Sequence, residues 1–114
     1  MKIYVSPSTQ ENNKNTRVGY VEETQMNLIA DILVPELERH GITIKRNNPN
    51  ASGVEEICDE SNAWGAEYHV AIHSNAFNGT VRGCEMYCYE PTNPTSNGTK
   101  IATSIYNCVT AIMP

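Results

Sequence analysis

The stretch Tyr68-His69-Val70-Ala71-Ile72-His73-Ser74-Asn75-Ala76 constrains this chain more than any other. Its apolar run predicts a buried strand, and the strand ends on a histidine followed at once by small polar residues. In open α/β sheets, ligands and chemistry gather at the carboxyl ends of the strands. A histidine delivered there is open to a metal or a proton, whereas one in mid-strand usually packs. His69 and His73 share a strand face, but a rise of about 3.3 Å per residue sets them about 13 Å apart, so they cannot hold one ion together. If a metal binds, His73 is its ligand and the other ligands come from other strand ends.

The rest of the chain supplies the sheet around that strand. Lys2 to Val5 predicts a short first strand, stopped by Ser6-Pro7, and the polar segment from Ser8 to Tyr20 predicts a loop. From about Glu22 to His40, the residues Met26, Ile29, Ala30, Leu33 and Leu37 repeat at helical spacing. Glu22 and Glu23 suit the positive end of that helix, and Gly41 suits a left-handed position past its far end. Pro35 predicts a kink or break within it. A second strand is expected over Ile42 to Arg46, and a second helix from about Ser52 to Ala63 with Val54, Ile57 and Cys58 inward. Tyr68 to His73 is the third strand and Gly83 to Tyr89 the fourth. A last helix carries Ile101, Ala102, Ile105, Cys108, Val109 and Ile112 on one side. The order β-α-β-α-β-β-α implies an α/β fold, a three-layer α-β-α sandwich around a mainly parallel, mixed sheet.

A chain of 114 residues suits one domain. With mean hydropathy of -0.44 and no apolar run near the ~20 residues of a membrane span, no membrane partner is expected. The opening Met1-Lys2-Ile3-Tyr4-Val5 enters a strand pattern directly and lacks the apolar core of a secretory leader, so synthesis in the cytoplasm without a signal peptide is expected. Eight basic against thirteen acidic residues give a net charge of -5, and Lys14, Arg17, Arg39, Lys45, Arg46 and Arg82 are scattered. Nucleic acid is therefore not the expected partner. Cys58, Cys84, Cys88 and Cys108 form no close pair, which points to buried, reduced thiols rather than a cysteine-rich zinc site.

A catalytic zinc needs about three protein ligands and an open position for water. The loop after the first strand, the start of the first helix and His73 are the segments that could converge. Glu22 and Glu23 stand at that helix start, where a carboxylate is also an ordinary dipole partner. His40 reads as a partner of the helix C-terminus, and His69 as a packing histidine or one that supports the site. The first turn, Ser6-Pro7-Ser8-Thr9-Gln10, has neither the glycines nor the lysine of a phosphate loop, which argues against a nucleotide-binding domain.

With these residues in view, Gly19-Tyr20-Val21-Glu22-Glu23-Thr24-Gln25-Met26-Asn27-Leu28-Ile29-Ala30 and Val70-Ala71-Ile72-His73-Ser74-Asn75-Ala76 resemble the zinc-dependent N-acetylmuramoyl-L-alanine amidases, peptidoglycan hydrolases that include autolysins, sporulation enzymes and phage endolysins. Arg46, Ser61-Asn62-Ala63 and Gly83-Cys84-Glu85-Met86-Tyr87-Cys88-Tyr89 match in the same order, so the resemblance covers nearly the whole chain. It implies cleavage of the amide between N-acetylmuramic acid and L-alanine by a zinc-bound water, on peptidoglycan or muropeptide at the bacterial cell wall.

The resemblance carries the metal ligands to His73 and to Glu23, because the family's asparagine and leucine four and five residues on fall at Asn27 and Leu28. The family's first histidine falls at Thr9 or Gln10, so Gln10 or Glu11 would have to stand in as the third ligand. The family's catalytic glutamate lies on a strand that would follow Pro114, so a domain truncated at its C-terminus is expected. A sheet edge left uncovered there would favour association into a homo-oligomer. The alternative reading is a catalytically inactive amidase-like module that binds cell-wall glycopeptide or a partner protein.

Overall fold

The structure, a computed structural model, describes residues 1–10, 19–75, 80, 83–89 and 92–113. Glu11, Lys14, Arg17 and Arg82 lie outside the described residues. The elements run β1 (Lys2–Pro7), α1 (Glu22–Arg39), β2 (Thr43–Arg46), α2 (Val54–Trp64), β3 (Tyr68–Ile72) and α3 (Asn97–Ile112). This is the expected α/β fold, with a three-stranded parallel sheet in the order β2-β1-β3. The chain divides into two compact units, Met1–Ala76 and Phe77–Pro114.

In the first unit β1 is the middle strand. Lys2 pairs with Thr43 and Val5 with Arg46 on one side, and Ile3 pairs with Tyr68 and Pro7 with Ile72 on the other. The two crossovers leave β1 and β2 in opposite directions along the sheet. Since parallel crossovers are right-handed, α1 and α2 cover opposite faces. The core consists of Tyr4, Val5, Met26, Ala30 and Ile57. Tyr4 is locked to the α2 side: its hydroxyl donates to the Glu60 carboxylate, and its ring lies 6.5 Å from that of Trp64.

β1 runs through Ser6-Pro7 rather than stopping there. The amides of odd-numbered β1 residues face β2, and that ladder ends where the Asn47 amide donates to the Val5 carbonyl. The N–H that proline lacks would therefore point past the end of β2, where no acceptor is lost. On the other side, the Ser8 amide continues the ladder by donating to the Ile72 carbonyl at 3.0 Å. Likewise α1 runs unbroken through Pro35. Pro35 is exposed, so the Asp31 carbonyl that loses its partner can be hydrated. Gly41 takes the left-handed conformation expected of it, with φ +79°, and donates its amide to the Glu38 carbonyl.

Three further expectations are corrected. Residues 83–89 form no strand, and no ladder partner exists for them among the described residues. Among its described residues the second unit offers a helix but no strand, and a segment without a neighbouring strand forms no sheet. The thiols are free, as expected, but Cys58 and Cys108 are exposed rather than buried. α2 buries only Ile57 and Ser61, four residues apart on one stripe, and Cys58 stands about 100° around the helix from Ile57. Val54, also expected inward, is 72% exposed. In the second unit, α3 opens on Ser96, whose hydroxyl accepts the Thr99 amide at 3.1 Å. No helix among the described residues is long and apolar enough to cross a membrane.

Candidate functional site

The carboxyl end of β3 delivers His73 to the rim of the sheet, beside the start of α1. The face that α1 buries is set by Glu22, Met26 and Ala30, spaced four residues apart. This stripe puts the Glu22 carboxylate at the head of the buried face, 1% exposed, where its Oε1 lies 3.1 Å from Nδ1 of His73. The Ser74 amide donates to the same oxygen at 3.2 Å, and the buried Ser8 hydroxyl donates to the carboxylate as well. Burial opposes ionisation of Glu22, but the Ser74 amide, the Ser8 hydroxyl and His73 together outweigh it and hold its pKa below the usual carboxylate range. The imidazole of His73 remains 44% exposed, so the pair is rooted in protein on one side and open on the other.

That open side faces a cleft of about 510 Å³ between β3 and the start of α2. Ser8, Thr9 and Gln10 from the loop after β1 line it together with His73, and Ile57 and Cys58 of α2 line it opposite. Gln10, expected as a stand-in ligand, therefore shares the cleft with His73, and its backbone N–H donates to the Ser8 hydroxyl at 3.2 Å. Glu11 lies outside the described residues. Glu23 is half-buried one residue around the helix from Glu22, and its backbone carbonyl accepts from the Asn27 side chain at 2.8 Å. The contact with His73 among the described residues is made by Glu22 and not by Glu23.

Zinc at 2.0–2.2 Å from a tetrahedral pair of ligands would hold their donor atoms roughly 3.3–3.6 Å apart. An imidazole nitrogen and a carboxylate oxygen, at 3.1 Å in the hydrogen-bonded pair, fit two positions of such a site in chemistry and would part by a few tenths of an ångström to take the ion. No group of three or more His, Cys, Asp or Glu that could hold a metal ion exists among the described residues.

Further along the same face of β3, the Nε2 of His69 lies 2.7 Å from the Ser6 hydroxyl, and its ring meets the ring of Tyr4 edge-on at 5.0 Å. Loss of water around the ring lowers the pKa of His69, which keeps it neutral at pH 7. His40 pairs with Glu36 at 3.5 Å on the surface, far down α1 from the site. The residues that sequence reasoning missed are Ser8 and Ser6. Their alternation along β1 was the available signal, because it turns both toward the face that carries His69 and His73.

Residues 3–114 match the profile of a family described as N-acetylmuramoyl-L-alanine amidase. A Bacillus licheniformis protein named N-acetylmuramoyl-L-alanine amidase CwlM is 26% identical over 94 residues, covering 78% of this chain and 36% of that protein. The chain therefore spans about a third of the length of that relative. No solved structure matches.

Proposed function

The chain belongs to the N-acetylmuramoyl-L-alanine amidase family, and from that premise we propose that it is a zinc-dependent peptidoglycan amidase domain cleaving the bond between N-acetylmuramic acid and L-alanine. The observation that carries this reading is the contact between Glu22 and His73 at the carboxyl end of β3, opening on a cleft. His73 and the carboxylate that opens α1 would hold the metal, with Gln10 or Glu11 from the loop after β1 as third ligand. When bound, zinc lowers the pKa of a water and polarises the amide carbonyl.

The residues themselves do the positioning. The Ser74 amide and the Ser8 hydroxyl fix the Glu22 carboxylate in its charged form, so that it meets a cation without reorganising. Glu22 in turn orients the His73 ring. The open flank of His73 leaves room for a muropeptide to approach along the cleft. Such a domain acts at the bacterial cell wall, as autolysins and endolysins do. Release of a free L-alanine amine from muropeptides in the presence of zinc, abolished in His73→Ala, is the expected result. No release by the unmodified chain defeats the proposal.

A second reading is favoured by the donor set. Thr9 and Gln10 stand where an imidazole would complete three strong ligands, which suits an inactive module that binds cell-wall glycopeptide. Muropeptide binding without amine release supports that module, and release excludes it.

A further inference from the structure

The cleft beside His73 continues along β3 to His69, and nothing in the metal chemistry uses that end. We infer that His69 is a substrate-binding residue that donates a hydrogen bond from Nδ1 to a backbone carbonyl of an extended stem peptide, about four residues from the scissile amide. This rests on the amidase reading of the site, and it adds which part of the substrate lies where.

The hydrogen-bonding partner fixes which ring nitrogen carries the proton. The Ser6 side chain is 4% exposed, and its contact with His69 Nε2 is its only hydrogen bond among the described residues. A buried hydroxyl whose hydrogen finds no acceptor is costly, so Ser6 donates to Nε2. The ring is neutral, and with Nε2 accepting, its one hydrogen must sit on Nδ1. His69 is exposed and lines the cleft, and Nδ1 has no partner among the described residues. The edge-on contact with Tyr4 holds the ring in that pose.

The lining of the cleft selects the kind of acceptor. Among the described residues no Lys or Arg lines it to compensate a carboxylate, and a neutral carbonyl suits a neutral imidazole. Among the described residues no Tyr, Trp or Phe lines it either, and sugar rings are usually gripped by flat aromatic faces. What the wall offers is Ala71 and Ile57, small and apolar surfaces suited to a peptide backbone. His69 and His73 are about 13 Å apart along β3, the length of roughly four extended residues.

The test compares binding of the C-terminal amides of N-acetylmuramoyl dipeptide and N-acetylmuramoyl tetrapeptide, whose last carbonyl is neutral, to the purified full chain by calorimetry or NMR titration. The tetrapeptide is expected to bind about tenfold more tightly. In His69→Phe, which keeps an aromatic edge against Tyr4, that ratio falls to about one while the melting temperature is retained. Ser6→Ala lowers the ratio too, because it frees the other tautomer. Nitrogen-15 NMR of the imidazole is expected to show the proton on Nδ1. Equal affinity for the two ligands in the unmodified chain overturns the inference and leaves the amidase reading standing, and so does a ratio that survives in His69→Phe. A proton found on Nε2 has the same effect. Binding of neither ligand removes both.

Discussion

Glu22 Oε1 and His73 Nδ1 lie 3.1 Å apart although 51 positions separate the two residues in the chain. A helix start and a strand end meet there because both belong to the rim where parallel strands finish. The carboxylate is held in its charged form by the Ser74 amide, the Ser8 hydroxyl and His73.

The two adjacent glutamates are separable by experiment. Glu22→Gln is expected to lower zinc retention at least tenfold, and Glu23→Gln to change it little, measured by elemental analysis after dialysis. Loss of zinc in Glu23→Gln with retention in Glu22→Gln transfers the ligand to Glu23.

Acid should unfold the first unit in stages. His69 is depressed, so the unfolded chain binds more protons below about pH 6.5 and stability begins to fall there. Glu60 is held down to about 2 by the Tyr4 hydroxyl and Lys45, and Glu22 is depressed too. Their contributions are full above the ordinary carboxylate pKa, 4.5, and are lost as pH falls toward 2. Tyr4 is raised above its usual range by burial and by Glu60, so stability also declines as pH rises beyond 10. Urea unfolding at pH 7, 5 and 3 checks the acid limb. Glu60→Gln should flatten it, removing on the order of 1 kcal/mol at pH 7 after allowance for solvent screening.

Arg46 ties β2 to α1 through the carboxylate of Asp31 and through Asn27 Oδ1 at 2.5 Å. Arg46→Ala should cost about 1–2 kcal/mol. Lysine cannot serve two acceptors with one planar fork, so Arg46→Lys should recover less than half of that in denaturant titration.

Thiol accessibility is a further check. Cys58 and Cys108 are exposed, so both should react with an aromatic disulfide reagent in the native state. A bulky adduct on Cys58, in the wall of the cleft, should weaken muropeptide binding.

Much of this arrangement was legible in the chain. Helical and strand periodicity located β1, α1, β2, α2 and β3 to within about two residues, although only β1, α1 and α2 bury apolar side chains fully and β2 and β3 bury none. The rim position of His73 followed from the polar residues directly after it. The burial of Glu22 at the head of α1 was legible too, since it continues the stripe of Met26 and Ala30, whereas matching Asn27 and Leu28 to a family pattern points to Glu23 as the metal ligand. Pairing was not legible: Gly83 to Tyr89 alternates like a strand, but alternation specifies a face and cannot supply a neighbour. The exposure of Cys58 and Val54 was hidden as well, because α2 covers the sheet with only Ile57 and Ser61.

The middle position of β1 has a consequence for how the chain is made. The ribosome delivers the centre of the sheet first, while Thr43–Arg46 and then Tyr68–Ile72 are still to be synthesised. Until both emerge, Tyr4 and Val5 have no flanking strands to shelter them, so the nascent chain passes through a sticky interval. Chaperone dependence during translation should therefore subside once residue 72 has cleared the exit tunnel.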